Sequence, residues 1–403
     1  MKGKSRIAVT TVVGAVVMVV ICFSKGGLGA MGEERSLVVR LKGLGFSARS
    51  CLVRLTAKNG DSDRIRRSGE EERPVQVDRQ PDGTATLYWI EDQVGAQEER
   101  LITLEPVQVP LVRRVSLIRD SNRIGVFFDR ALFTRYWIQE VAKPFCFPLT
   151  LPSGTWLVRG FPVEPKPGDS TDHPHHTGFW VAYGSVNGND LWSDHGKIVV
   201  REVLDHTGGP VFGRIRTLNE WRARDGTFLC EEERELVFWE SADGRIVDLT
   251  MTFRSESEVT FGDTKEGFVA IRIPDSMRVD RGRGHILNAN GDRDTAAWGK
   301  RAPWCLYYGF VNGEKAAILF LDHPDNVGFP TPWHVRDYGL FANGPFCRKD
   351  FGLPPEPLVK VLPQKPLRLR YRLVLMSDHP DREVVQEIWQ GFAHPPVAQL
   401  VSH

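Results

Sequence analysis

Short runs of alternating apolar and polar residues recur along most of this chain, broken by Gly, Pro, Asn and Asp. A period of two puts successive side chains on opposite faces of a strand. The pattern is clearest in Val247-Asp-Leu-Thr-Met-Thr-Phe253, whose odd positions are expected to face a core. Further strands are predicted over 123–128, 156–161, 179–183, 197–203, 233–239, 245–253, 268–273, 304–310, 316–321 and 367–376. Turns such as Asp225-Gly226, Asp243-Gly244 and Asn312-Gly313 separate them. This spacing predicts a mainly β fold built as a large antiparallel sandwich. Helical spacing is strong in one place, from Asp381 to Phe392, where Val384, Val385, Ile388 and Trp389 share a face.

Ahead of the sandwich, Ser36 to Lys42, Cys51 to Thr56 and Thr84 to Trp89 read as strands, and the charged stretch from Asn59 to Arg73 reads as a loop. Residues 31–110 are therefore expected to form a small β-sandwich accessory unit, with Pro106 and Pro110 marking its boundary to a main domain over 111–403. Tyr183-Gly-Ser-Val-Asn-Gly188 echoes Tyr308-Gly-Phe-Val-Asn-Gly313, which suggests two similar hairpins in one sheet system. The Asp-His-Pro at 378 is expected to start the terminal helix.

Composition changes this picture little. Hydrophobic residues at 41% and charged residues at 26% suit a folded domain, and 22 Phe, 11 Trp and 38 Gly favour strands and turns. A net charge of +1 gives no electrostatic footprint for nucleic acid. The first thirty residues do add something. Lys2, Lys4 and Arg6 precede an uncharged, mostly apolar run of 17 residues, Ile7 to Phe23, and Leu28-Gly29-Ala30 follows as a cleavage site. Residues 1–30 read as a signal peptide or an uncleaved transmembrane anchor. Either way the rest is expected outside the cytoplasm, in the periplasm or on the outer face of the inner membrane, with membrane contact only through this segment. Beyond Cys22, the five remaining cysteines are widely spaced, which suits buried free thiols and leaves room for one disulfide.

Four clusters carry candidate chemistry. In Asp172-His173-Pro174-His175-His176, an extended backbone would put His173 and His175 on one face and His176 on the other. Imidazoles so close are costly to bury without partners, which points to acid–base work, metal ligation or sugar recognition, or else to a hydrogen-bonded loop lock. Asp190 and Trp192 would pair a carboxylate with an indole, as a sugar site does, or would be a turn Asp and a core Trp. Glu266 stands at the mouth of a strand as a candidate base, with a solvated turn as the alternative. In Trp333-His334-Val335-Arg336-Asp337-Tyr338, His334, Arg336 and Tyr338 would share one face and Trp333, Val335 and Asp337 the other. Metalloprotease, nucleotide-loop and nucleophile-elbow motifs are absent from the sequence.

The stretches DHPHHTGFWVAYGSVNGNDLW, TKEGFVAIRI, WGKRAPWCLYYG, LDHPDN and PTPWHVRDYGLF resemble the bacterial PmoA-like family, a domain of unknown function once labelled "methane oxygenase PmoA", across roughly residues 113–378. That likeness implies a galactose-mutarotase-like β-supersandwich, distantly similar to aldose epimerases. It also implies a site combining His175, His176 and His334 with a carboxylate such as Glu266. An oxygenase subunit built from many membrane spans does not fit a chain with one apolar segment. The leading expectation is an exported enzyme acting on a sugar or glycoside, by epimerisation or cleavage. His175, His176, His334 and Glu266 would be catalytic, and His173, Trp180, Asp190, Trp192, Trp333, Arg336 and Asp337 would hold the substrate. No cofactor is predicted, although a divalent metal held by histidines stays open. Carbohydrate binding without turnover is the second reading.

Overall fold

The computed structural model describes residues 36–58, 64–68, 71–107 and 110–401. Residues 1–30, read above as a signal peptide or anchor, lie outside them. No helix among the described residues is long and apolar enough to cross a membrane.

Two antiparallel eight-stranded sheets form the main body. One runs Trp333–Val335, Leu340–Asn343, Gly267–Arg272, Phe179–Tyr183, Phe145–Leu149, Ala131–Trp137, Arg123–Phe128 and Val115–Arg119. The other runs Lys197–Thr207, Phe212–Arg222, Phe228–Ser241, Gly244–Arg254, Leu367–Met376, Glu314–Asp322, Trp304–Val311 and Gly284–Asn288. Their inner faces share one continuous core, with Phe179 against Phe320 and Tyr307 against Phe341. This is the expected β-supersandwich. Val247, Leu249, Met251 and Phe253 are all buried, as their alternation requires.

Aromatic residues fill the core beside Phe268, at the Gly267 end of the strand Gly267–Arg272. Trp221, Phe253, Phe261, Phe268 and Phe346 meet there edge to face or tilted. Each buried ring of this size removes enough apolar surface from water to contribute about 2–3 kcal/mol. The cluster fixes the strand Gly267–Arg272, whose two ends deliver Glu266 and Arg272 to the surface group described below.

Several expectations change. Residues 156–161 are not a strand; the bridge Thr150 to Trp156 and backbone bonds from the Leu157 and Arg159 N–H groups to the Leu149 and Arg272 carbonyls hold them to the sheet, because Pro162 and the buried Arg159 break the strand pattern. The charged stretch read as a loop contains the strand Arg64–Ser68 and the start of Glu71–Arg79, which pair as a hairpin. The two echoed motifs sit in different eight-stranded sheets, although Asn187-Gly188 and Asn312-Gly313 share the positive φ values of tight turns. All five described cysteines are free and buried.

The N-terminal strands form a seven-stranded sheet in the order Ala48–Lys58, Thr84–Val94, Glu71–Arg79, Arg64–Ser68, Glu99–Pro106, Leu37–Lys42 and Val397–Leu400. Its last strand comes from the C-terminus, with Val39 opposite Leu400 and Lys42 opposite Val397. The helix Arg382–Ala393, begun by Asp381, lies between this sheet and the main body and buries Val385, Ile388 and Gly391. A Cβ at Gly391 would stand 2.0 Å from the Arg49 carbonyl oxygen and 2.9 Å from Cys51 Sγ. Gly391→Ala is expected to push the helix off the sheet and cost about 1–3 kcal/mol, read as a lower urea midpoint. An unchanged midpoint would mean that this junction yields freely.

Candidate functional site

Two arginines with fully buried side chains set the frame. Arg272 ends an otherwise apolar, buried strand, and Arg159 stands in the preceding turn, where its backbone N–H donates to the Arg272 carbonyl. Both converge on Asp172: Arg159 Nη1 donates to Oδ1 at 2.7 Å, and Arg272 Nη2 donates to Oδ1 and Oδ2 at 2.9 and 3.1 Å. Burial works to raise the Asp172 carboxyl, but Arg272, the His173 hydrogen bond and Arg159 outweigh it and hold it well below the usual carboxylate range. Burial and repulsion from Arg272 bring the Arg159 guanidinium down to about 10.

The histidine segment is a turn, not the extended stretch expected. His173 has φ of +47°, and the His176 N–H donates to the His173 carbonyl at 3.0 Å. The turn gathers imidazoles that an extended chain would have separated. His173 stacks on His176 at 4.7 Å, and His175 stands edge-on to His176 at 4.5 Å. His173 Nδ1 lies 2.6 Å from Asp172 Oδ2. With Asp172 ionised, the proton of a neutral His173 is assigned to Nδ1, which leaves the Nε2 lone pair free. His173 is also the open member of the trio, with 42% of its side chain exposed. Burial pushes His175 down to about 4, helped by Lys143 and His173, and pushes His176 well below its ordinary value.

The distant segment meets this turn. Tyr338 stacks parallel to His173, with centroids 5.3 Å apart. The Arg272 and Arg336 guanidiniums stand 4.9 and 5.5 Å from the same phenol ring. Sheet register explains the meeting. Arg272 pairs with Leu340, and the tight turn after Val335 folds Tyr338 back toward Arg272. Glu266 pairs with Lys265, and its charge reaches Tyr338.

The other expected residues divide. His334 lies on the Arg336 side but is only 2% exposed, and burial with Arg336 and Lys265 brings it down to about 3. His176 is 1% exposed. Neither is open for proton exchange with a ligand, so the expected pairing of His175 with His334 has one member closed. Trp333 is core, its Nε1 donating to the Ala302 carbonyl at 2.9 Å. Trp180 and Trp192 are buried beneath the histidines, with Trp180 stacked on His176 at 5.1 Å. They support the cluster from below and offer a ligand no ring face. Asp190 accepts from the Ser193 N–H and faces His195 at 3.4 Å, on the Lys143 side of His175. Asp337 turns toward Tyr307, its carbonyl accepting from the phenol at 3.2 Å.

Arg159, Arg272 and Lys265 were missed, and Asp172 was not assigned a role. A usable signal existed for the arginines. A lone Arg inside Phe-Val-Ala-Ile-Arg-Ile, or between Leu-Val and Gly-Phe, is a charge where burial is expected, and such charges are nearly always paired.

No group of three or more His, Cys, Asp or Glu among the described residues is arranged to hold a metal ion. The stacked and edge-on packing of the imidazoles uses their faces on one another. Clefts of about 540 and 840 Å³ sharing Ser276, Arg283 and Asn312 contain none of the expected residues.

The profile of a family of unknown function (DUF6807) matches residues 123–390. Within the resemblance read from the motifs, this supports a domain of unknown function, and nothing supports the PmoA-like name. No curated protein matches. Among solved structures, a protein in glycosyl hydrolase family 38 from Enterococcus faecalis aligns with a TM-score of 0.40 and 8% identity, over 92% of this chain and 48% of that one. The chain thus spans about half the length of that structure.

Proposed function

The chain belongs to this family of unknown function, whose profile takes in residues 123–390, and from that premise we propose an exported carbohydrate-active enzyme that works on a sugar or glycoside by acid–base chemistry. The observation that supports this reading is the pairing of Asp172 with His173 at 2.6 Å beside the phenol of Tyr338. Asp172 is kept ionised by its arginines, so it fixes the imidazole tautomer and stabilises the imidazolium once a proton arrives. His173 Nε2 would take a proton from a substrate hydroxyl or an activated C–H. His175, neutral near pH 7 and partly open, would donate or accept a hydrogen bond. Glu266, half-open beside Lys265, would serve as the carboxylate partner. This moves the leading role from His334 to His173. Export rests on the N-terminal sequence, and the PmoA-like kinship rests on the motifs.

The test is turnover. Purified protein without residues 1–30, offered a panel of glycosides, uronides and keto-sugars, is expected to convert at least one. His173→Gln is expected to lower that rate about 10²-fold, as removal of a positioned general base does. Calorimetric binding with no product from any substrate would leave a carbohydrate-binding protein and sink the enzyme.

A further inference from the structure

We propose that the ligand of this site carries a carboxylate, as a uronic-acid sugar does, and that the Arg336 guanidinium is its anchor. This rests on the acid–base reading and names its substrate class. Arg336 is half-buried and lies between two rings, 5.6 Å from Trp298 and 5.5 Å from Tyr338. Its guanidinium has no hydrogen bond and no ion pair among the described residues. Every other cation around Tyr338 has an acidic partner: Arg159 and Arg272 share Asp172, and Lys265 holds Glu266. The group thus gathers more positive than negative charge, and the surplus sits on the residue whose orientation is already set by flanking rings. A guanidinium fixed in this way has lost little further freedom to binding, and its planar fork matches the two oxygens of a carboxylate.

One more observation points the same way. His173 and Arg336 stand 5.3 and 5.5 Å from the same Tyr338 ring, so both lie within the reach of one oligosaccharide. The carboxylate is favoured over sulfate or phosphate because the cluster offers one fork and no helix N-terminus; the nearest helices are short 3₁₀ turns.

The test uses the protein without residues 1–30 and calorimetry with galacturonate and glucuronate oligomers, their methyl esters, neutral oligosaccharides of the same length and a sulfated set. An acidic oligomer is expected to bind, and esterifying it is expected to weaken binding by about ten- to a hundredfold on the unaltered protein. Arg336→Gln should give a similar loss and Arg336→Lys an intermediate one, with thermal melts as the folding control. Equal affinity for acid and ester, no binding of any uronide, or Arg336-dependent binding of the sulfated set alone each overturns the proposal. Turnover confined to neutral glycosides, with His173→Gln inactive, would keep the enzyme and remove the carboxylate. Uronides bound through Arg336 but never converted would do the reverse.

Discussion

Replacing Asp172 by alanine is expected to lower the stability of the fold by about 3 kcal/mol or somewhat more, seen as a large drop in the urea midpoint with little change in slope. Arg159 and Arg272 have no exposed side-chain surface, and Asp172 is the carboxylate they both bind. Without it, two buried guanidiniums would repel each other with the more distant Asp275, reached through Ser170, as the remaining acidic partner. Removing one partner of a buried pair typically costs about 3–5 kcal/mol. The lower end applies because Asp172 is itself 39% exposed, so water would reach the gap. Asp172→Asn should recover part of the loss by keeping an acceptor. A midpoint shift worth less than about 1 kcal/mol would show that the arginines find other partners.

Acidification is the second strong test. A histidine whose folded pKa is depressed contributes in full above its unfolded value, near 6.5, and that contribution is lost as pH falls toward the folded value. His334 is brought down by burial, Arg336 and Lys265 to about 3, and His323 by burial and Arg370 to about 4. His176 behaves in the same sense. The window therefore runs from about pH 6.5 down to pH 4, where His334 alone forfeits about 3 kcal/mol. Asp322 works the other way. Burial raises it to about 7, so folding is penalised above that pH and relieved below it, which offsets roughly one histidine. The net expectation is a loss of several kcal/mol between pH 6.5 and 4, measured as urea midpoints along that range. His334→Gln should flatten the profile. A midpoint independent of pH would mean that the fold takes up these protons as readily as the unfolded chain does.

The supersandwich was legible where inward positions are apolar, as at Val247, Leu249, Met251 and Phe253. It was hidden where they are not. The strand Phe212–Arg222 turns Ile215, Thr217, Asn219 and Trp221 inward, and two polar residues in that row erase the alternation. The strand Arg64–Ser68 looked like a loop because Arg64 and Arg66 point inward with buried charge. At the site, the segments that meet were recognisable from their crowded imidazole, guanidinium and phenol groups. Their internal geometry was not, because His173 adopts a positive φ that no residue pattern announces. His334 was therefore expected to be catalytic and His173 to hold substrate, whereas His334 is buried and His173 is open.

The pairing of Leu37–Lys42 with Val397–Leu400 has a consequence for biogenesis. One flank of Leu37–Lys42 lies on Glu99–Pro106, but the other is covered by Val397–Leu400, which is synthesised long after it. Until synthesis ends, that flank is a bare row of amides and carbonyls, a template for joining another chain. Removing Val397–Leu400 should therefore yield aggregates, read as a loss of soluble protein on expression.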